Sequence, residues 1–189
     1  MSTKFQQNLE EHRALFARLE ALSEPVAQAA GLMVNALLAG HKLMLCGNGG
    51  SAADSQHLAA EFTGRFINDR KPLAAMALST DTSALTCIAN DYSFDEVFFR
   101  QVMGLGVAGD CLLALSTSGN SKNVLRAVEA ARTLNMRTIG LLGRDGGQLA
   151  ALCEVAIIVP SATTARVQEA HIMIGHTLCG MVEESLQLA

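Results

Sequence analysis

The feature that most constrains the fold is a rhythm beginning near residue 42. Five short apolar runs follow one another, each leading through a polar or glycine-rich turn into a stretch with helical spacing. The runs are Lys42–Cys46, Ala74–Leu78, Cys111–Leu115, Arg137–Leu142 and Val155–Val159. Continuous apolar runs of this length, alternating with helices, mark parallel strands covered on both faces, so the chain is expected to be an α/β protein with a five-stranded parallel sheet inside a three-layer α-β-α sandwich. In an open parallel sheet ligands sit beyond the carboxyl ends of the strands. The turns after Cys46, Leu115 and Leu142 are therefore the places to look for function.

Helices are expected on either side of this core. Phe5, Leu9, Leu15, Phe16, Leu19 and Leu22 recur near helical spacing, and Ser23-Glu24-Pro25 reads as an N-cap with an early-turn proline opening a second helix that stops at Gly40. This N-terminal helical hairpin (1–40) and a long last helix over Ala165–Leu186 complete a single expected domain, 1–189, with no linker or repeat. Half of the 189 residues are hydrophobic and 17% charged, against about a quarter charged in an average soluble chain. No run reaches the ~18 uninterrupted apolar residues of a membrane span; Val26–Ala39 is broken by Gln28, Gly31 and Asn35. The polar start shows no secretory or transit pattern, so a cytoplasmic protein without membrane partners is expected, its apolar excess buried in the sheet and between subunits. Cys46, Cys87, Cys111, Cys153 and Cys179 are widely spaced with no C-x-x-C pair, which indicates neither a disulfide framework nor a zinc-thiolate site. A net charge of −4 without a Lys/Arg cluster argues against a nucleic-acid partner. A phosphate would then be held largely by neutral donors.

Two turns suit that task. Gly47-Asn48-Gly49-Gly50-Ser51 follows a strand and opens a helix, where backbone N–H groups and the helix dipole face an anion. Gly47, Gly49 and Ala52 also satisfy a dinucleotide fingerprint, but the acidic residue that reading requires is missing at the end of the next strand, Asp81 lying too far along. The second turn, Ser116-Thr117-Ser118-Gly119-Asn120-Ser121, places four hydroxyls around one glycine ahead of another helix.

His57 and Glu61 lie four apart on the helix opened by the first turn and share a face, as two metal ligands or as a ligand and a general base would. The last helix carries Arg166, Gln168, Glu169, His171 and His176 among apolar residues. Gln168 and His176 are eight residues apart, about 12 Å of helical rise. One ion binds both if Gln168 sits at a bent helix start or if the two come from different subunits, and a site shared between subunits is the expectation.

Together, G-N-G-G-S-A-A-D-x-Q-H with a later Glu, S-T-S-G-N-S and R-V-Q-E-x-H-x-x-x-x-H resemble the phosphoheptose isomerases of the sugar isomerase (SIS) superfamily over nearly the whole chain. The resemblance implies a flavodoxin-like SIS fold assembled as a homotetramer with active sites at subunit interfaces. It implies conversion of D-sedoheptulose 7-phosphate to D-glycero-D-manno-heptose 7-phosphate through an enediolate, the first step toward ADP-heptose and the lipopolysaccharide core. Carried over by position, the metal ligands are His57, Glu61, Gln168 and His176, with one Zn2+ per subunit. Glu61 and His176 are the catalytic base and acid. Substrate contacts fall on Asn48, Gly49, Gly50, Ser51, Arg65, Asn90, Asp91, Ser116, Thr117, Ser118, Ser121 and Gln168. Some members carry an acid where this chain has Ala165. Non-catalytic relatives that bind the bacterial replication initiator share the fold but lack the Glu and the final His, both present here.

Overall fold

The computed structural model describes residues 3–186; the ends of the expected domain, 1–2 and 187–189, lie outside the described residues. Strands β1 (Leu43–Cys46), β2 (Ala75–Ala77), β3 (Cys111–Ser116), β4 (Arg137–Gly143) and β5 (Val155–Val159) occupy the five apolar runs. They form one sheet in the order β2-β1-β3-β4-β5, every neighbouring pair parallel. The chain adds β2 on one side of β1 and β3 on the other. The carboxyl ends of β1 and β3 thus flank the switch point at which such sheets bind ligands.

Alternation along the strands divides the core in two. Leu43, Leu45, Leu113, Leu115, Ile139, Leu141 and Ile157 face helices α2 (Ser23–Leu38), α3 (Gly50–Thr63) and α8 (Thr164–Ser185). Met44, Cys46, Leu112, Ala114 and Leu142 face the other layer: α4 (Thr82–Asp91), α5 (Val97–Leu105), α6 (Lys122–Thr133) and α7 (Gly147–Leu152). Three layers follow, as the buried runs require. At the opposite edge from the ligand crevice, the buried Asp110 carboxylate accepts from Lys42 N at 3.0 Å and Val107 N at 2.9 Å and pairs with Lys42 Nζ at 2.5 Å. These bonds hold the starts of β1 and β3 in register. Asp81, set aside in the dinucleotide reading, caps α4 by accepting from Ala84 N.

The N-terminal segment departs from its periodicity. Helix α1 (Lys4–Phe16), opened by a capping box between Thr3 and Gln6, ends at Phe16 rather than continuing through Leu22. Leu19–Leu22 form a separate 3-10 turn. The Ser23 hydroxyl does not cap α2; it donates back to Glu20 O at 2.6 Å, so Ser23 is the first residue of α2, and Pro25 falls in the first turn, where its missing N–H costs nothing. The Arg166 guanidinium donates to Asn8 O and to Glu169, whose other oxygen meets His12 Nδ1 at 2.8 Å. Arg166 and Glu169 thereby dock α1 on α8.

Cys46, Cys111 and Cys179 are buried, Cys153 is half-buried and Cys87 is exposed; all five are free thiols. Burial pushes Cys111, Cys153 and Cys179 up to about 12, which keeps them protonated and inert. No helix among the described residues is long and apolar enough to cross a membrane.

Candidate functional site

The first turn leaves β1 through Gly47 and enters α3 with Gly49 at φ +57°, a left-handed conformation that favours glycine. The second leaves β3 with Ser116 Oγ 3.0 Å from Ser121 Oγ. Between them Asn48 and Asn123 exchange a reciprocal pair of amide hydrogen bonds, 2.8 and 2.9 Å long. The two turns are thus stitched side by side across the switch point. The third turn, after β4, packs against the second and supports it. Leu149 N donates to Gly119 O, and Gly119, at φ +67°, packs directly on the Gly146 backbone.

About two helical turns along α3, or some 10 Å, the residues expected to bind metal come together. His57 Nε2 lies 2.8 Å from His176 Nε2 on α8 and 3.4 Å from Glu61 Oε1. One ligand atom from each of the three lies within 4.8 Å of the others. Two imidazole nitrogens at 2.8 Å demand either a proton between them or a cation facing both lone pairs. Two histidines with a carboxylate are a donor set suited to zinc, so the residues fit the metal. The Phe66 ring stacks on His176 with centroids 5.5 Å apart. His57 remains 48% exposed, which leaves the site open to ligand.

Gln168 faces the first turn. Its amide lies against Gly50 at the start of α3, where an added Cβ would stand 2.4 Å from Nε2. Helix α8 runs unbroken from Thr164, so Gln168 does not sit at a bent helix start. At the exposed end of α4, Asn90 Nδ2 donates to Asp91 Oδ1, and the other Asp91 oxygen accepts from Cys87. Arg65 is exposed just beyond α3, its guanidinium on Ile67 O. Ser51 is buried at the first turn, and Thr117 and Ser118 are half-buried in the second.

Two residues at the site were not singled out from sequence. Asn123 is one; its position as the second residue of α6 (Lys122–Thr133), directly after S-T-S-G-N-S, is the available signal. Asp54 is the other, at i−3 from His57 on the same face. Its Oδ2 is buried without a hydrogen-bond partner, and burial raises its carboxyl, partly offset by the nearby His57 and His176.

The other histidine of α8 has a different role. His171 is fully buried, bonds through Nε2 to Leu142 O at 3.0 Å, and is pushed down to about 4 by burial, the hydrogen bond working against that shift. Its folded value lies below the unfolded one near 6.5. Between those values the unfolded chain binds more protons, so the stability present above about pH 6.5 drains away as pH falls toward 4, by on the order of 3 kcal/mol. Urea unfolding at pH 7 and pH 4.5 is expected to show a shallower acid loss in His171→Gln than in wild type. An equal loss would mean that His171 does not titrate in this way.

A model of the SIS domain family matches residues 7–143. The phosphoheptose isomerase of Rhodospirillum rubrum is 54% identical over 171 residues, covering 90% of this chain and 91% of that protein. That of Nitratiruptor sp. is 53% identical over 186 residues, 98% of this chain and all of the relative. The structure of phosphoheptose isomerase GmhA from Neisseria gonorrhoeae superposes with a TM-score of 0.89 at 49% identity, covering 94% of this chain and 96% of that one. A Francisella tularensis phosphoheptose isomerase gives 0.93 at 37% identity over 96% and 97%. With its five-stranded parallel sheet, its stitched turns and its His-Glu-His trio, the chain belongs to the phosphoheptose isomerase family of SIS domain proteins.

Proposed function

We propose that this protein acts as one catalytic domain that interconverts D-sedoheptulose 7-phosphate and D-glycero-D-manno-heptose 7-phosphate through an enediolate, in the cytoplasm, at the start of heptose supply for lipopolysaccharide. The observation that carries this reading is the convergence of His57, Glu61 and His176 on the helix pair opened by the glycine turn. The phosphate is received by neutral donors: the backbone N–H groups at the start of α3, Ser51, and the hydroxyls of Ser116, Thr117, Ser118 and Ser121. Arg65 and Asn48 border the sugar path.

Glu61 takes the proton from the carbon beside the carbonyl and returns it to the neighbouring carbon, which one carboxylate can do on one face of the sugar. His176 moves protons on the oxygens, its ring held by Phe66. His57, Glu61 and His176 would hold a zinc ion, one per subunit, with Gln168 as a fourth ligand from a neighbouring subunit. When bound, zinc supplies Lewis-acid polarisation of the carbonyl and stabilises negative charge on oxygen.

This reading takes the protein as a homotetramer in which Gln168 serves the trio of a neighbouring subunit; in its own chain the Gln168 amide lies against Gly50, seven residues before His57. The surface beside His176, lined by Phe66, Ile172, Met173, Thr177 and Gly180, is apolar enough for a subunit contact, and interfaces of that kind resemble a divided core. The test is to strip the purified protein with a chelator and supply sedoheptulose 7-phosphate with and without zinc. Aldoheptose phosphate forming with zinc and failing without it is the expected result. Equal turnover in both would remove the metal from the scheme.

A further inference from the structure

Helix α3 carries the trio's first two members and ends at Thr63, leaving its last carbonyls without helical partners. Gly64 N satisfies Ala60 O. The next two carbonyls are taken by one side chain: Arg70 Nη2 donates to Glu61 O at 2.7 Å and Nη1 to Phe62 O at 2.9 Å. Arg70 Nε is paired at 2.5 Å with Glu183 on α8, seven residues beyond His176. Glu183 also accepts from Phe66 N at 3.0 Å and Ile67 N at 3.3 Å. Both side chains are sealed from solvent, 1% and 2% exposed.

We propose that Arg70 and Glu183 are positioning residues for the isomerase site. Their buried pair clamps the end of α3 and the following turn onto α8, and so sets where Glu61, Phe66 and His176 stand relative to one another.

The energetics favour this reading over simple stabilisation. Desolvating both charges costs several kcal/mol per ion, and well-packed apolar residues of similar volume often serve stability as well or better. What an apolar pair cannot supply is direction. The Arg70 fork fixes the backbone of the very residue whose carboxylate enters the trio. Glu183 fixes the backbone of the ring stacked on His176. A shift of a few tenths of an ångström at either point opens the His57–His176–Glu61 spacing, and ligand geometry of this kind governs metal affinity.

The test uses the full-length protein and reads metal binding in the absence of substrate. In the double variant Arg70→Met/Glu183→Leu, which keeps volume and removes both charges, cobalt titration followed by visible absorption is expected to show affinity weakened about 10- to 100-fold. The melting temperature is expected to fall, because Glu61 O, Phe66 N and Ile67 N lose their partners; in protein still folded at the assay temperature, kcat is expected to fall in parallel with cobalt affinity and KM for the sugar phosphate to change less. Arg70→Lys, which keeps the ion pair but cannot reach both carbonyls, is expected to show an intermediate loss of cobalt affinity and covers the case in which the double variant does not fold. Wild-type cobalt affinity in a folded double variant, or in Arg70→Lys, would overturn the proposal and reduce the pair to a structural role. The kcat comparison rests on the isomerase reading, but the cobalt titration does not. Wild-type protein that binds cobalt and makes no heptose would bring down that reading alone.

Discussion

Glu61→Gln is expected to lower kcat for heptose formation by about a thousandfold, the loss typical of removing a positioned general base, while the protein melts within a few degrees of wild type. The amide has nearly the shape of the carboxylate, and the backbone bond from Arg70 Nη2 to residue 61 O is untouched. What disappears is the group that accepts a carbon-bound proton and the negative charge facing His57 at 3.4 Å. KM for the sugar phosphate is expected to change little, because the proposed phosphate donors at the start of α3 lie eleven residues, about 16 Å of helical rise, from Glu61. Steady-state kinetics with a thermal melt on the same preparation decide the matter. A variant keeping more than a tenth of wild-type kcat would place the base elsewhere.

Gly119→Ala is expected to be the most damaging small substitution in the crevice. Gly119 has φ +67°, and a Cβ there would stand 2.0 Å from Gly146 O and 2.3 Å from Gly146 C. Every nearby atom is backbone, so no side chain can swing aside. The second turn would have to pull away from the third, giving up the Leu149 N to Gly119 O bond and displacing Ser118 and Ser121, the proposed phosphate contacts. Strain and overpacking together cost about 3 kcal/mol or more. Urea unfolding is expected to register that loss, and KM for the sugar phosphate is expected to rise more steeply than kcat falls. Wild-type stability and KM would show that the two turns separate freely.

The fold was legible because its strands are buried on both faces. Runs such as Cys111-Leu112-Leu113-Ala114-Leu115 leave no polar alternative, and each strand forms where its run lies. The two turns at the switch point were legible from their glycine and hydroxyl residues between a strand and a helix, and each lies where that pattern falls. At the trio, the i, i+4 spacing exposed His57 and Glu61. His176 entered through its place in the R-V-Q-E-x-H-x-x-x-x-H pattern, and the pairing of α3 with α8 supplied the rest.

The misses share a cause, which is that local spacing does not report which helix face meets which neighbour. His171 and His176 look alike in sequence, yet one points at Leu142 O in the core and the other at His57. Periodicity carried α1 through Leu22, whereas the chain turns at Ala17 to Arg18 so that Leu19 is buried and Arg166 can reach Asn8. The Asn48 amide pairs with that of Asn123, 75 residues away, a partner that local spacing does not report. Arg70 and Glu183, 113 residues apart, are two unremarkable charges until the fold seals them together.

The central claim is that the crevice and trio interconvert a ketose phosphate and an aldose phosphate with no other reactant. The most direct measurement runs the zinc-loaded protein from both sides, starting once from D-sedoheptulose 7-phosphate and once from D-glycero-D-manno-heptose 7-phosphate, and follows both sugars by NMR. The account predicts that the two reactions converge on the same ketose-to-aldose ratio. No conversion from either side would contradict it.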